Sequence, residues 1–226
     1  MIIKQQSISI RNADRWPLQE IEYAGRNCYA SQDRIGPGSA ESFVNGLLKR
    51  GHGAPLEFSD MTVEIETSRA ILAELTRHRL ASFCVESQRY IQEAKTGDIT
   101  FIAPDWYDES DKDEKSAIWH SSMRMAENAY KQMIENGARP EQAREVLPNS
   151  TACKIIMKAN LREWRHIFTL RCDKAAYPPM RMLMKDLLDK AHERIPVVFD
   201  DLYKQFICPD NQNETEQPEQ VETAQE

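Results

Sequence analysis

Between Met61 and Leu75 the apolar residues change their period, and that change constrains the fold more than any other feature of the chain. Met61, Val63 and Ile65 alternate with Thr62, Glu64 and Glu66, the spacing of a strand with one buried face. From Ser68 the period becomes helical: Ile71, Leu72 and Leu75 form an apolar stripe that leads into Arg77, His78 and Arg79. A half-buried strand thus hands over to a helix whose C-terminal end is basic.

The rest of the chain is mostly helical in pattern. A possible strand at Ile2 to Ile10 precedes a helix that Pro17 can start. A second helix is expected from Glu41 to Arg50, closed by Gly51. Residues 93 to 115, with the short strand candidate ITFIA and the acidic run DESDKDE, read as a solvated connection. An amphipathic helix is expected from about Ser116 to Asn136, ended by Gly137. Pro140 opens the next helix, PEQAREVL, and Pro148 stops it. Helices at about 151 to 172, 178 to 193 and 198 to 206 complete the body. Few, segregated strands among many helices predict an α+β fold, and no G-x-G-x-x-G opens a helix after a strand, so the fold is expected to be non-Rossmann.

Length and charge bound the rest. A chain of 226 residues with 41% hydrophobic content can bury a substantial core within one domain, here residues 1–208. Residues 209–226 hold six acids and no Lys or Arg, and they predict an acidic disordered tail. Without that tail the formal charge of −7 falls to about −1, so a local basic pocket meets no strong opposing field. No run approaches the ~18 apolar residues of a membrane span, and the start lacks a signal-peptide layout, so a cytoplasmic protein is expected. Cys28, Cys84, Cys153, Cys172 and Cys208 are scattered without metal-ligand spacing, which predicts reduced thiols and no metal.

The densest chemistry lies in RHRLASFCVESQRY, residues 77 to 90, where three arginines, one histidine and two serines crowd together. Guanidinium forks bind phosphate and carboxylate in pairs of hydrogen bonds, and hydroxyls complete such a cage. Composition alone leaves a second reading open, in which Arg77 and Arg79 only complement the negative end of the helix before them. Farther along, Asn160, Trp164, Ile167 and Arg171 fall on one helical face, while Arg162, His166 and Thr169 fall on another. His52 sits between Gly51 and Gly53, where backbone can approach a flat ligand closely.

The spacing of Arg77, His78, Arg79 and Ser87, followed by Arg89 and Tyr90, resembles the signature of flavin-dependent thymidylate synthases. The blocks GHGAPLEF (51 to 58), AREVLP (143 to 148) and NLREWRHIFTLR (160 to 171) resemble other ligand-binding segments of that family in register. Cys84 and Val85 stand where many relatives carry Asn and Glu, and Ala54 where Thr is common.

The resemblance implies a helix-rich domain around a small, largely antiparallel sheet, and reductive methylation of dUMP to dTMP. The carbon donor would be methylenetetrahydrofolate and the hydride would pass from NADPH through FAD. By the same likeness His52, Glu57, Arg77, His78, Arg79, Asn160, Arg162, His166 and Leu170 would bind the flavin. Glu74, Arg77, Ser87, Gln88, Arg89, Arg144 and Arg171 would bind dUMP. Arg171, Ser87 and His52 would stand nearest the chemistry, with Ser87 binding rather than attacking, because no base is evident to activate it. The family assembles each site from several subunits of a homotetramer. A phosphohydrolase built on the same arginines would need a carboxylate cluster or an activated nucleophile. A nucleic-acid-binding module should instead show a spread basic face with exposed aromatics, and neither pattern is visible, so no nucleic acid and no membrane are expected as partners.

Overall fold

The computed structural model describes residues 1–12, 18–88, 98–110 and 113–209. Its centre is a ladder of two nine-residue strands, β3 (Asp60–Ser68) and β6 (Ala152–Asn160), paired antiparallel from Asp60 opposite Asn160 to Ser68 opposite Ala152. The short strands β2 (Ser7–Ile10) and β4 (Ala81–Val85) flank it, giving the antiparallel order β2-β3-β6-β4. A separate parallel pair joins β1 (Ile2–Lys4) to β5 (Thr100–Ile102).

Each long strand runs directly into a helix. Ser68 ends β3, and its hydroxyl accepts a hydrogen bond from the Ile71 N–H to cap α3 (Arg69–Leu75). Asn160 ends β6, and its side-chain oxygen accepts from the Glu163 N–H at 2.8 Å to cap α6 (Leu161–Arg171). The strands are antiparallel, so the two helices start at opposite ends of the ladder. Their C-terminal turns meet, and the candidate site lies at that meeting.

One face of the sheet is apolar. Ile8, Met61, Val63, Ile65, Cys153, Ile155, Met157 and Ala159 are buried there in one cluster with Trp164, Ile167 and Phe168 of α6. The helices α7 (Pro178–Arg194) and α8 (Pro196–Phe206) complete this core through Met184, Leu187, Leu188 and Phe199, and α1 (Leu18–Asn27) and α2 (Ser39–Lys49) add Ile21, Val44 and Leu47. The Trp164 indole N–H donates to the Met61 carbonyl at 2.9 Å, so the largest buried ring also has its polar atom satisfied. A second, smaller core gathers Ile99 and Phe101 against Met123 and Tyr130 of α4 (Glu114–Glu135) and Ala143 of α5 (Pro140–Ala143).

The mixed, helix-rich fold with a small antiparallel sheet agrees with expectation, and several element boundaries do not. The helix expected at 151 to 172 is a strand followed by a helix. Cys153, Ile155, Met157 and Ala159 alternate with Lys154, Ile156 and Lys158, but the exposed Ile156 fills a polar position and hides the period. The expected strand at Ile2 to Ile10 is two strands in different sheets. PEQAREVL is the single turn α5 followed by a 3-10 turn at Arg144–Val146. The strand candidate ITFIA, within the connection at 93 to 115, is met by β5 at Thr100–Ile102. Helix α3 stops at Leu75, so Arg77 to Arg79 lie in a turn beyond it and not in its last turn. The expected tail and the Pro17 helix start fall outside the described residues, apart from Pro209.

Candidate active site

The turn between α3 and β4 exposes Arg77 and Arg79 on either side of a buried His78. Neither arginine forms a side-chain hydrogen bond or ion pair among the described residues, so both guanidinium groups face outward with their donors unused. His78 is 5% exposed and is fixed from the far end of α6. The Arg171 Nε–H donates to His78 Nε2 at 3.1 Å. The other two nitrogens of Arg171 donate to the Glu74 carboxylate at 3.0 Å and to the Glu74 backbone carbonyl at 3.1 Å. These bonds leave part of the guanidinium fork free for a ligand.

His78 must accept at Nε2, so its own proton sits on Nδ1, where the buried carboxylate of Glu163 stands 3.6 Å away. Burial, with the positive charge of Arg171 and then His166 nearby, pushes the His78 pKa down to about 4. His78 is therefore neutral at physiological pH and acts as an acceptor that aims Arg171. His166, on the exposed side of α6, sets its ring edge-on to His78 with centroids 6.4 Å apart. Leu170 is half exposed at 48% on the same helix.

A second group forms around the Gly51–Gly53 loop. Gly51 has φ 71°, the left-handed conformation that favours glycine after a helix. His52 Nδ1 lies 2.8 Å from the Tyr29 hydroxyl at the side of an open cavity of about 670 Å³. Arg162, at the start of α6, donates to the Glu57 carboxylate at 2.6 Å, with both groups exposed. A Cβ on Gly53 would stand 3.2 Å from Arg162 Nε, so this glycine lets the arginine lie against the backbone.

A third group follows β4. The Glu86 N–H donates to the Lys154 carbonyl at 2.9 Å, and its side chain accepts from the Lys154 N–H at 3.3 Å. Arg69 donates to the Glu86 carbonyl at 3.1 Å. This clamp fixes the backbone that leads to Ser87 and Gln88, and the Gln88 side-chain nitrogen is buried without a partner among the described residues. Arg89 and Tyr90 lie outside the described residues. Among the described residues Arg144 has a single ion-pair partner, Glu145 at 3.9 Å.

The structure thus joins Glu74, His78, Arg171 and His166, and separately joins Glu57 to Arg162. Among the described residues no side-chain hydrogen bond or ion pair connects these groups to one another, to His52 or to Arg144. Sequence reasoning missed Glu163, Arg69 and Tyr29. Of these only Glu163 left a local trace, because Asn160-x-x-Glu163 has the spacing of a helix cap.

Solved structures with the same architecture include thymidylate synthase X from Helicobacter pylori, determined with FAD and dUMP. It superposes with a TM-score of 0.72 at 23% identity, over 88% of this chain and 99% of that one. The UMP/dUMP methylase PolB from Streptomyces cacaoi, bound with 5-Br dUMP, gives a TM-score of 0.73 at 22% identity, over 91% and 98%. The fold is therefore that of the thymidylate synthase X class. The sequence model of the thymidylate synthase complementing protein family, Thy1, matches residues 12–197. A probable flavin-dependent thymidylate synthase of Mycobacterium phage D29 is 36% identical over 192 residues, 80% of this chain and 81% of that protein. The flavin-dependent thymidylate synthase of Geobacter sulfurreducens is 32% identical over 192 residues, 82% of each chain. The chain belongs to the family of flavin-dependent thymidylate synthases.

Proposed function

We propose that this protein methylates dUMP to dTMP, taking the carbon from methylenetetrahydrofolate and the hydride from NADPH through FAD. The observation that carries this reading is the turn at Arg77–Arg79, where two unused guanidinium groups flank a buried histidine that aims a third. Such a donor set suits the phosphates of a dinucleotide and a nucleotide side by side. The side-chain nitrogen of Gln88, buried without a partner among the described residues, is a further donor for a polar ligand atom.

FAD, when bound, supplies the redox chemistry that this chain's side chains lack. Arg77, His78 and Arg79, with His52, Glu57, Asn160, Arg162, His166 and Leu170, are assigned to holding it. Ser87, Gln88 and Arg89, with Glu74 and Arg144, are assigned to dUMP. Arg171 has free donors and is braced by Glu74 and His78, so it would offset negative charge growing on a pyrimidine oxygen as C5 becomes nucleophilic. Ser87 is assigned to binding. Replacing Ser87 with Ala should leave measurable turnover, and total loss with dUMP affinity intact would mark it as a nucleophile.

The same reading extends to the assembly and the setting. Residues 1–208 form the catalytic domain of a cytoplasmic homotetramer in which neighbouring subunits complete each site. The test is direct: the purified protein should carry flavin absorbance, oxidise NADPH only with dUMP present, and form dTMP once the folate donor is added. A colourless preparation that ignores added FAD, or one that makes no dTMP, would overturn it.

A further inference from the structure

The cavity beside His52 has a lining that the assignments above leave almost unused. Its volume, about 670 Å³, lies in the range that encloses nucleotide-sized ligands. Three arginines reach it, and they differ in what already holds them. Arg26 is committed: its Nε donates to the buried Glu22 carboxylate at 2.6 Å, and its guanidinium lies over the Phe43 ring at 4.6 Å. Arg34 and Arg50 are exposed and have no hydrogen bond or ion pair from their side chains among the described residues. They leave two free guanidinium forks on one concave surface.

The rest of the lining selects among anions. Ser31 adds a hydroxyl close to Arg34 in sequence, and Asp33 adds a single carboxylate, which accepts from a sugar hydroxyl or an exocyclic amine but repels a plain polyanion. Tyr29 and Phe43 add flat rings. Paired guanidinium groups for a phosphate dianion, one acceptor for a hydroxyl and rings for a flat base together describe a phosphorylated nucleoside.

We infer that this cavity binds the phosphate-bearing adenosine end of NADPH, with Arg34 and Arg50 gripping its 2′-phosphate. The inference rests on the proposed function, since it names the site that one of its co-substrates occupies. His52 lines this cavity and is also assigned to the flavin, so in this reading the reductant's site adjoins the flavin's.

The test compares the full-length protein with Arg34→Gln/Arg50→Gln, a double change at two exposed positions. The KM for NADPH should rise at least tenfold, and the preference for NADPH over NADH should shrink by the same factor. Flavin occupancy and dUMP affinity should stay within twofold. An NADPH KM that stays within twofold would overturn the inference. So would a loss of flavin or of dUMP affinity, which would hand the cavity to those ligands, or a shift only in the KM of the folate donor, whose carboxylates also suit arginine. Calorimetric titration with adenosine 2′,5′-bisphosphate reads the cavity without turnover. Binding that the double variant abolishes supports the site even in a protein that makes no dTMP, and failure of the wild type to bind sinks the site while synthase activity stands.

Discussion

Glu163 illustrates how a residue acts through another at this site. Its carboxylate favours the His78 tautomer with the proton on Nδ1, which keeps Nε2 free to accept from Arg171. An amide in its place can present either an N–H or a carbonyl, and the N–H orientation reverses the tautomer and sets two donors against each other. Glu163→Gln should therefore lower kcat/KM for dUMP roughly tenfold, about 1.4 kcal/mol, with flavin retained. An unchanged kcat/KM would separate Glu163 from the site. The pKa of His78 carries a second consequence. It lies at about 4 in the folded chain, below the ordinary value of 6.5, so between these values the unfolded chain binds more protons. Stability should rise as pH rises through that window and fall as pH drops toward 4, by up to about 3 kcal/mol from this group. Thermal melts across the window should show a shallower pH dependence in His78→Gln than in the wild type.

At the scale of the element, helix caps and strand periods decide what was legible. Strand β3 and helix α3 were readable because Met61 to Leu75 switches period cleanly at Ser68, the residue that caps the helix. The helices α4, α7 and α8 lie close to their expected bounds, α4 through its amphipathic pattern and its Gly137 stop. Strand β6 was not, because Ile156 occupies an exposed position where a polar residue would have shown the alternation. Strand β4 was hidden inside the basic motif, where five short residues offer too little period to detect. The motif itself announced Arg77 to Arg79, yet nothing local could pair His78 with Arg171, 93 residues away, or bring Arg69 onto Glu86. Those contacts come from sheet topology. The Asn160 cap makes a prediction that belongs here: Asn160→Ala should cost about 1 kcal/mol of stability in denaturant unfolding. It should also weaken flavin retention, because α6 carries Arg162 and His166 from that end. Stability lost with flavin retention unchanged would limit Asn160 to capping.

For the whole molecule, the separation of the candidate groups is the informative fact. The His52 loop, the Arg171 brace and Arg144 share no side-chain bonds among the described residues, as expected if each completes a site with a neighbouring subunit. That arrangement predicts complementation. Arg171→Ala and His52→Ala chains, each with severely reduced activity alone, should regain a measurable fraction of it when co-expressed, because some mixed assemblies pair an intact half of each kind. Mixed assemblies as inactive as either parent would place every site within one chain.

The meeting of α3 and α6 also makes the site a gauge of its own sheet. One helix is rooted on β3 and the other on β6, so sliding one strand past the other by one residue would shift their tips relative to each other by about 3.3 Å as well as turning that strand's buried row outward. The bonds that Arg171 makes to Glu74 and His78, now 3.0 to 3.1 Å long, would break in their present geometry. If Arg171 serves the reaction as proposed, a misaligned ladder would disarm it, and activity would double as a report that the strands zipped up in the correct frame.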